Sequence, residues 1–285
     1  MQLINYFCKL KLRLIKNLKF SSTVEQEFSQ TLKERINEYF KSNNIKKQAN
    51  VEMYLKTVIM LLAYIIPIFI VSLDIVSSNF LVILLYAISG LGIAGIGMGI
   101  MHDANHGAYT TNPKLSFFLG HTLDFLGCSS KMWKFQHNIL HHTYTNIHGH
   151  DEDITAPVFL LRFSPHSKLY KIQKYQHYYV WFFYSLLTLF WVTGKDFVKC
   201  TYYYKIGLIP NKKAYRLQLL KFIPLKLYYF TTVVFLPYYF SSFSLGTIIT
   251  GFLVMHFLAG LLLSIVFEMA HVVPKMGFPE RAGRE

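Results

Sequence analysis

The sequence predicts an all-α integral membrane protein with four transmembrane helices in two hairpins and a helical cap rich in histidine. Hydrophobic residues make up 53% of the chain and charged residues only 15%, against about 25% in typical soluble proteins. Two stretches that are almost free of charge, 57–101 and 227–267, are each long enough for two helices that cross a bilayer. Between them, two tight histidine clusters lie in a segment of mixed polarity.

The net charge and the cysteines give further information about the class of protein. The net charge of +14 is typical of a membrane protein whose cytoplasmic loops are rich in Lys and Arg, and no aromatic-basic module for nucleic acid is present. Cys8, Cys128 and Cys200 are widely spaced, so they predict neither a disulfide framework nor a cysteine metal site. Basic residues interrupt the first apolar runs, so we expect no signal peptide.

The N-terminal segment, residues 1–56, is basic and contains eleven Lys or Arg residues. Thr23 with Gln26 resembles a capping box, and apolar residues follow at helical spacing. These are Phe28, Leu32, Ile36 and Tyr39. We therefore predict an amphipathic helix from about 24 to 41 in a cytoplasmic segment. It would lie on the membrane or on the protein, and a plain solvated helix is the open alternative.

The remaining residues, 57–285, form the predicted membrane domain. Its first hairpin has spans at 57–73 and 80–101, and its second occupies 227–267 with a turn near 241–244. The GLGIAG run at Gly90–Gly95 matches a dinucleotide-binding pattern, but it lies inside an apolar span without a preceding strand. Gly95 and Gly99 form a GxxxG pair, which favours close helix packing.

Charged flanks predict the orientation of the spans. The turns at 74–79 and 241–244 contain no Lys or Arg, so we expect them outside, with both termini in the cytoplasm. The uncharged run 178–194 has lysines on both sides, so we expect it to lie in the interface or to re-enter. This scheme places both histidine clusters and His271 on the cytoplasmic side.

The two histidine clusters carry the chemistry. The first cluster is His102 and His106, and the second is His137, His141 and His142. Residues four apart on a helix lie on one face with Cβ atoms about 5–6 Å apart, so each cluster can close on a metal ion. His271 follows the last span and joins these candidates. Asp103 and Glu268 could orient ligand imidazoles, with ordinary solvation at a helix end as the alternative.

The other histidines lack paired spacing, so surface or supporting roles are expected for them. They are His121, His148, His150, His166 and His177. His256 lies in mid-span, where either a functional role or a neutral, hydrogen-bonded histidine between helices is possible. Imidazole suits Zn, Cu, Fe and Ni, and more than four ligands indicate more than one metal. A two-metal site beside a bilayer suits oxidative attack on an unactivated methylene of a lipid.

Several segments resemble membrane fatty acid desaturases, closest to acyl-lipid and linoleoyl-CoA-type enzymes, including front-end desaturases. They are HDANHGAY from His102, WKFQHNILHHTYTN from Trp133, GHDEDI from Gly149 and FEMAHVV from Phe267. The resemblance runs from about Thr31 to Pro279. It implies a di-iron centre, O2, a separate electron donor (ferredoxin or cytochrome b5) and a cis double bond in a long acyl chain.

Carried over to this chain, the resemblance implies six iron ligands: His102, His106, His137, His141, His142 and His271. Trp133 could line the acyl tunnel, with ordinary packing as the alternative. The family also has a third histidine box beyond the position of His271, but no histidine follows His271 here. We therefore expect the membrane domain to be incomplete at its C-terminal end, its second iron site to be poorly held, and this chain to form no double bond as written. An acyl-chain hydroxylase and a non-catalytic desaturase-like membrane protein are the alternatives.

Overall fold

The computed structural model describes residues 24–155 and 159–279, and all regular structure in these ranges is helical. The all-α prediction is thereby confirmed, whereas Cys8 and the Thr23 half of the predicted capping box lie outside the described residues. The α-helices, in chain order, are α1 (Val24–Ser42), α2 (Val51–Ser72), α3 (Asn79–Asn105), α4 (Pro113–Gly120), α5 (Thr122–Phe125), α6 (Ser130–Lys134), α7 (Gln176–Ser185), α8 (Leu187–Phe190), α9 (Asp196–Lys205), α10 (Lys212–Phe240) and α11 (Leu245–His271). The π-helical segments are Gly97–Met101 in α3, Phe135–His141 after α6, Trp191–Lys195 after α8 and Thr231–Phe235 in α10, and Lys171–Tyr175 is a 3₁₀ turn.

Four of the described helices, α2, α3, α10 and α11, are long and apolar enough to cross a membrane. Half of the most apolar window of α3 and of α11 is buried, against 28% for α2 and 22% for α10. Helices α3 and α11 therefore form the centre of the bundle. Helices α2 and α10 expose apolar side chains on its outside, as lipid-facing helices do.

The first helix of each hairpin begins earlier than the apolar composition predicts. The first begins at Val51 rather than 57, because the Asn50 side chain accepts the backbone N–H of Met53 and caps the helix. Helix α10 begins at Lys212 rather than 227, since Asn211 caps it in the same way through Ala214. Charged first turns thus extend the helices beyond the apolar stretches by which the spans were predicted.

Close packing at the centre depends on two glycines of the GLGIAG run. A Cβ at Gly90 would lie 2.5 Å from the carbonyl oxygen of Met255 on α11, and one at Gly92 would lie 2.5 Å from the backbone nitrogen of Tyr64 on α2. Backbones of three helices therefore meet here, as small residues allow. The predicted pair, Gly95 and Gly99, faces side chains of Met60 and Lys56 instead.

The run 178–194 is a broken helix and is not among the four long ones. It is interrupted at Leu186 between α7 and α8 and then continues through a π-helical segment into α9. It packs on α11, where a Cβ at Gly260 would lie 2.5 Å from the carbonyl oxygen of Ser185. Its placement relative to a bilayer stays a prediction, as does that of α1, whose Phe28 and Tyr39 side chains are exposed.

The turns of the two hairpins meet at one end of the bundle. The Asp74 carboxylate accepts the backbone N–H and the hydroxyl of Ser242, each at 3.0 Å. In the interior, the hydroxyl of Tyr86 donates to the carbonyl of Val233 at 2.6 Å. The histidine clusters, at the end of α3 and directly after α6, lie together at the other end of the bundle, where Nε2 of His102 and of His137 are 3.2 Å apart.

Candidate metal centre

The first histidine cluster lies on the last turn of α3, directly after a π-helical segment of that helix. The imidazole rings of His102 and His106 are 4.5 Å apart between centroids. The Asp103 carboxylate lies 3.1 Å from Nδ1 of His102, so the predicted orienting contact is present. This contact is partly exposed, with 37% and 36% of the two side chains accessible.

The second histidine cluster lies on the π-helical segment Phe135–His141. In an α-helix, successive side chains point about 100° apart around the axis. His141 and His142 come four and five residues after His137, so in an α-helix they could not both point to the same side as His137. Here the backbone N–H of His142 donates to the carbonyl of His137, an i to i+5 bond that widens the turn. The wider turn brings all three imidazoles of the cluster to one side.

Ligand atoms of the two clusters converge. Nε2 of His137 lies 3.2 Å from Nε2 of His102 and 3.2 Å from Nε2 of His142. Two trios made only of histidines have all their ligand atoms within 4.8 Å of one another: His102, His106 and His137, and His137, His141 and His142. Nitrogens about 2.0–2.1 Å from one ion lie about 3.0–3.4 Å apart, so the spacing fits metal ligation. The two trios share His137.

Two buried carboxylates orient the second cluster by accepting hydrogen bonds from Nδ1 atoms of its imidazoles. Nδ1 of His137 lies 2.9 Å from Asp153, and Nδ1 of His141 lies 3.0 Å from both oxygens of Asp151. Residues Asn146 and Gly149 have φ values of 62° and 78°, and these left-handed turns fold the acidic segment back on the helix. This role of the two aspartates is not predicted from the sequence. The signal for it is the GHDEDI run, in which Asp151 and Asp153 are two residues apart, so that each can contact one of the stacked imidazoles of His141 and His137.

His271 completes the group of six candidates, from the last residue of α11. Its ring lies 4.5 Å from that of His141, and its Nδ1 lies 2.6 Å from the carbonyl of Phe267 one turn earlier. Glu268, predicted as an orienting residue, forms no hydrogen bond to an imidazole within the described ranges. It lines a neighbouring cavity instead.

The hydrogen bonds set the tautomers of four candidates. His102, His137, His141 and His271 each have Nδ1 against an oxygen that can only accept, so Nδ1 carries the proton. Their Nε2 lone pairs are therefore free. Lone pairs of His102 and His137 facing each other at 3.2 Å repel unless a cation lies between them. The donor set thus fits a metal that accepts imidazole.

The electrostatics of the cluster favour neutral imidazoles. Burial and neighbouring histidines lower the pKa of His106 to about 4, and burial first of all lowers the pKa of His137 and of His142. Burial also lowers the pKa of His141, but the hydrogen bond to Asp151 and the charges of both aspartates outweigh it and raise that pKa. Burial alone would raise the pKa of Asp153, yet its contacts with His137 and His141 bring it down to about 2, so this carboxylate is ionised. Neutral imidazole is the form that binds metal.

Helix α9 anchors both the second cluster and its acidic segment. Lys199 of α9 pairs with Glu152 at 2.6 Å. The Asp196 carboxylate accepts the backbone N–H of Ser129, the residue that caps α6, and pairs with buried Lys226 of α10 at 2.7 Å. These contacts fix the start of α6 and the acidic segment relative to each other.

The remaining sequence candidates lie outside the convergent group. Trp133 is buried and stacks on His137 with ring centroids 4.5 Å apart, so it packs against a candidate ligand. His256 is fully buried and contacts the hydroxyl of Tyr229 at 2.7 Å and that of Thr188 at 3.1 Å. It is thus a hydrogen-bonded histidine between helices. His166 lies 2.9 Å from the carbonyl of Phe278, away from the clusters.

Comparison with known proteins identifies the family of the chain. The profile of the Fatty acid desaturase family matches residues 78–281. The chain is 31% identical to the sn-1 linoleoyl-lipid 6-desaturase of Synechocystis sp., over 90% of this chain and 70% of that protein. It is also 31% identical to the acyl-lipid (8-3)-desaturase of Physcomitrium patens, over 93% of this chain but only 55% of that protein. No solved structure matches the chain at a significant level.

Proposed function

Since the chain belongs to the fatty acid desaturase family of oxidoreductases, we propose that its membrane domain serves the insertion of a cis double bond into the acyl chain of a lipid or thioester at a di-iron centre, a reaction that also requires the third histidine box implied by the family resemblance. The observation that carries the proposal is the meeting of Nε2 atoms of His102, His137 and His142 at 3.2 Å spacing. Acyl-lipid desaturases among its relatives support the choice of substrate class.

The proposed ligands are the six candidate histidines, His102, His106, His137, His141, His142 and His271. When bound, iron supplies the oxidising power that removes hydrogen from an unactivated methylene, with O2 as co-substrate and electrons from a separate ferredoxin or cytochrome b5. The chain's own residues hold the imidazoles neutral and aimed inward. Asp151 and Asp153 keep the Nδ1 protons of His141 and His137, so that their Nε2 atoms stay available. Trp133 shields His137 and, in this proposal, borders the acyl chain.

The proposed iron site must face the cytoplasm, because its electron donor would reach it from that side. We propose that the cluster end of the bundle and both termini are cytoplasmic, with the joined turns at Asp74 and Ser242 outside. In a variant without native cysteines, Ser242→Cys should react with a membrane-impermeant thiol reagent in intact cells, and His148→Cys should not. The reverse labelling pattern would contradict this orientation.

Product analysis separates desaturation from hydroxylation. The chain should be expressed with ferredoxin and cytochrome b5 systems, alongside a chimera that continues after Pro279 with the Synechocystis relative, which by family resemblance supplies the third histidine box. We expect a product two mass units lighter from the chimera, and none from its His137→Ala variant. A product heavier by one oxygen would favour the hydroxylase. Stable iron binding without any product in either protein would favour the non-catalytic alternative.

A further inference from the structure

A cavity of about 860 Å³ opens beside the metal centre. Its walls come from the segment 162–177, from α7 and from the end of α11, where Glu268 and Val272 lie on either side of His271 in the sequence. Binding sites for small molecules typically measure about 300–1,000 Å³, so its size suits part of a lipid. The end of α11 that carries candidate ligand His271 therefore also forms part of the cavity wall.

The outer wall is fixed by side-chain to backbone bonds. Gln173 donates to the carbonyl of Phe159 at 2.7 Å and accepts the N–H of Tyr170 at 2.9 Å. Gln176 accepts the N–H of Arg162 at 2.7 Å and donates to its carbonyl at 3.2 Å. A segment with little regular structure is thus held to the start of α7, as expected of a preformed site.

The wall has two chemically different parts. One part is apolar and aromatic, with Phe163 stacked on Tyr184 and with Val180 and Val272. The other part is a cationic rim of Arg162, Lys171 and Lys174. The guanidinium of Arg162 is held in place by the carbonyls of Ser167 and Pro165, and the two lysines are exposed.

Glu268 is the one acidic side chain among the described residues that line the cavity, and it lies on the last turn of α11, three residues before His271. The exposed ammonium groups of Lys171 and Lys174 are the part of the wall that would attract an anion. An amphiphile would then lie with its anionic group at these lysines and its acyl chain along the apolar part of the wall.

We propose that this cavity binds the phosphate of an anionic acyl carrier, with Lys171, Lys174 and Arg162 around the phosphate and the acyl chain against the apolar wall. Ammonium and guanidinium groups are the usual partners of phosphate in proteins. The proposal rests on the proposed function, because it assigns the headgroup of that reaction's substrate. The phosphate can belong to an anionic phospholipid or to coenzyme A.

The test measures binding and needs neither metal nor turnover. The purified full chain is titrated with dioctanoyl phosphatidylglycerol, octanoyl-coenzyme A, a neutral dioctanoyl galactolipid and inorganic phosphate. Lys171→Ala/Lys174→Ala should weaken binding of a phosphate-bearing amphiphile by about thirtyfold, since each basic group near an anionic lipid contributes about fivefold. Lys212→Ala/Lys213→Ala, an exposed pair at the start of α10, is the matched control and should change nothing.

Either phosphate-bearing amphiphile supports the site, and their rank identifies the source of the phosphate. Equal binding of the neutral galactolipid, inorganic phosphate bound as tightly as the amphiphiles, or an unchanged affinity in the Lys171/Lys174 variant would overturn it. Thermal melting of both double variants checks that they fold. His137→Ala should keep full lipid affinity, so a failed desaturase proposal and a failed phosphate site give different results.

Discussion

Both clusters consist of histidine side chains, but they differ in the carboxylates that their Nδ1 atoms contact. At the first cluster, the Asp103 side chain is 36% accessible, and His102 is the one imidazole among the described residues to which it is hydrogen-bonded. At the second, the side chains of Asp151 and Asp153 are 0% and 2% accessible and contact two imidazoles. Hydrogen bonds in a low dielectric are stronger, so the second cluster is the preorganised half of the centre. The first cluster is free to adjust to it.

Removing a ligand of the second cluster should have the largest effect. His141→Ala deletes an imidazole whose orientation is fixed by Asp151, so we expect the purified protein to lose bound iron almost completely while still inserting into membranes. Iron content per protein, by mass spectrometry, measures this. His166→Ala is the control, because that histidine lies against Phe278. If both variants lose iron equally, the assignment of ligands is wrong.

Breaking the buried pair of Asp196 and Lys226, which anchors the second cluster, should have the second-largest effect, a loss of stability. Lys226→Met leaves the buried Asp196 carboxylate without its cation, and removal of one partner from a buried pair costs about 3–5 kcal/mol. A lower melting temperature in detergent and weaker iron retention are expected together. Lys221→Met, at an exposed position on the same helix, is the matched control. Equal melting temperatures for the two variants would show that the pair contributes nothing to the fold.

Changing the carboxylates compares the clusters directly. Asp153→Asn replaces an ionised acceptor of His137, and loss of such an orienting partner typically weakens metal binding by about 10–100-fold. Asp103→Asn should weaken it by at most about fivefold, since exposed ion pairs contribute up to about 1 kcal/mol. Cobalt(II) titration followed by visible absorption gives both affinities. A larger effect of Asp103→Asn would reverse the comparison.

Acid should act through the histidines whose pKa is lowered. The pKa of His106 lies at about 4 in the folded protein and at 6.5 as the ordinary value. The unfolded chain therefore binds more protons in this interval, and the stability of the metal-free protein should fall as pH drops from about 6.5 to 4. The raised pKa of His141 changes the stability only above this interval, and Asp153 protonates only below it, so neither group reverses the trend. Melting temperatures across the interval should fall less steeply in His106→Gln, and an unchanged slope would contradict the assignment.

Most of the fold followed from local signals. Two stretches that are almost free of charge were enough to predict four spans, because a bilayer requires long apolar helices. Helix ends were predicted less well, since Asn50 and Asn211 begin their helices within charged turns that hydropathy does not detect. The GxxxG pair predicts close packing at Gly95 and Gly99, which pack against side chains of α2, whereas the backbones of neighbouring helices are met at Gly90 and Gly92. Which glycine meets a neighbouring backbone depends on helix rotation, and that is a tertiary property.

By itself the sequence determined the class of protein and the family. It also identified the six histidines as a group, because clustered imidazoles beside apolar spans are rare and their spacing is local. Only the tertiary structure decided how they are held. The widened turn at His142, the return of Asp151 and Asp153 to His141 and His137, and the anchoring of Ser129 by Asp196 join residues that the sequence separates. The reason is physical: an imidazole's tautomer and direction depend on the acceptor at its second nitrogen, and folding places that acceptor.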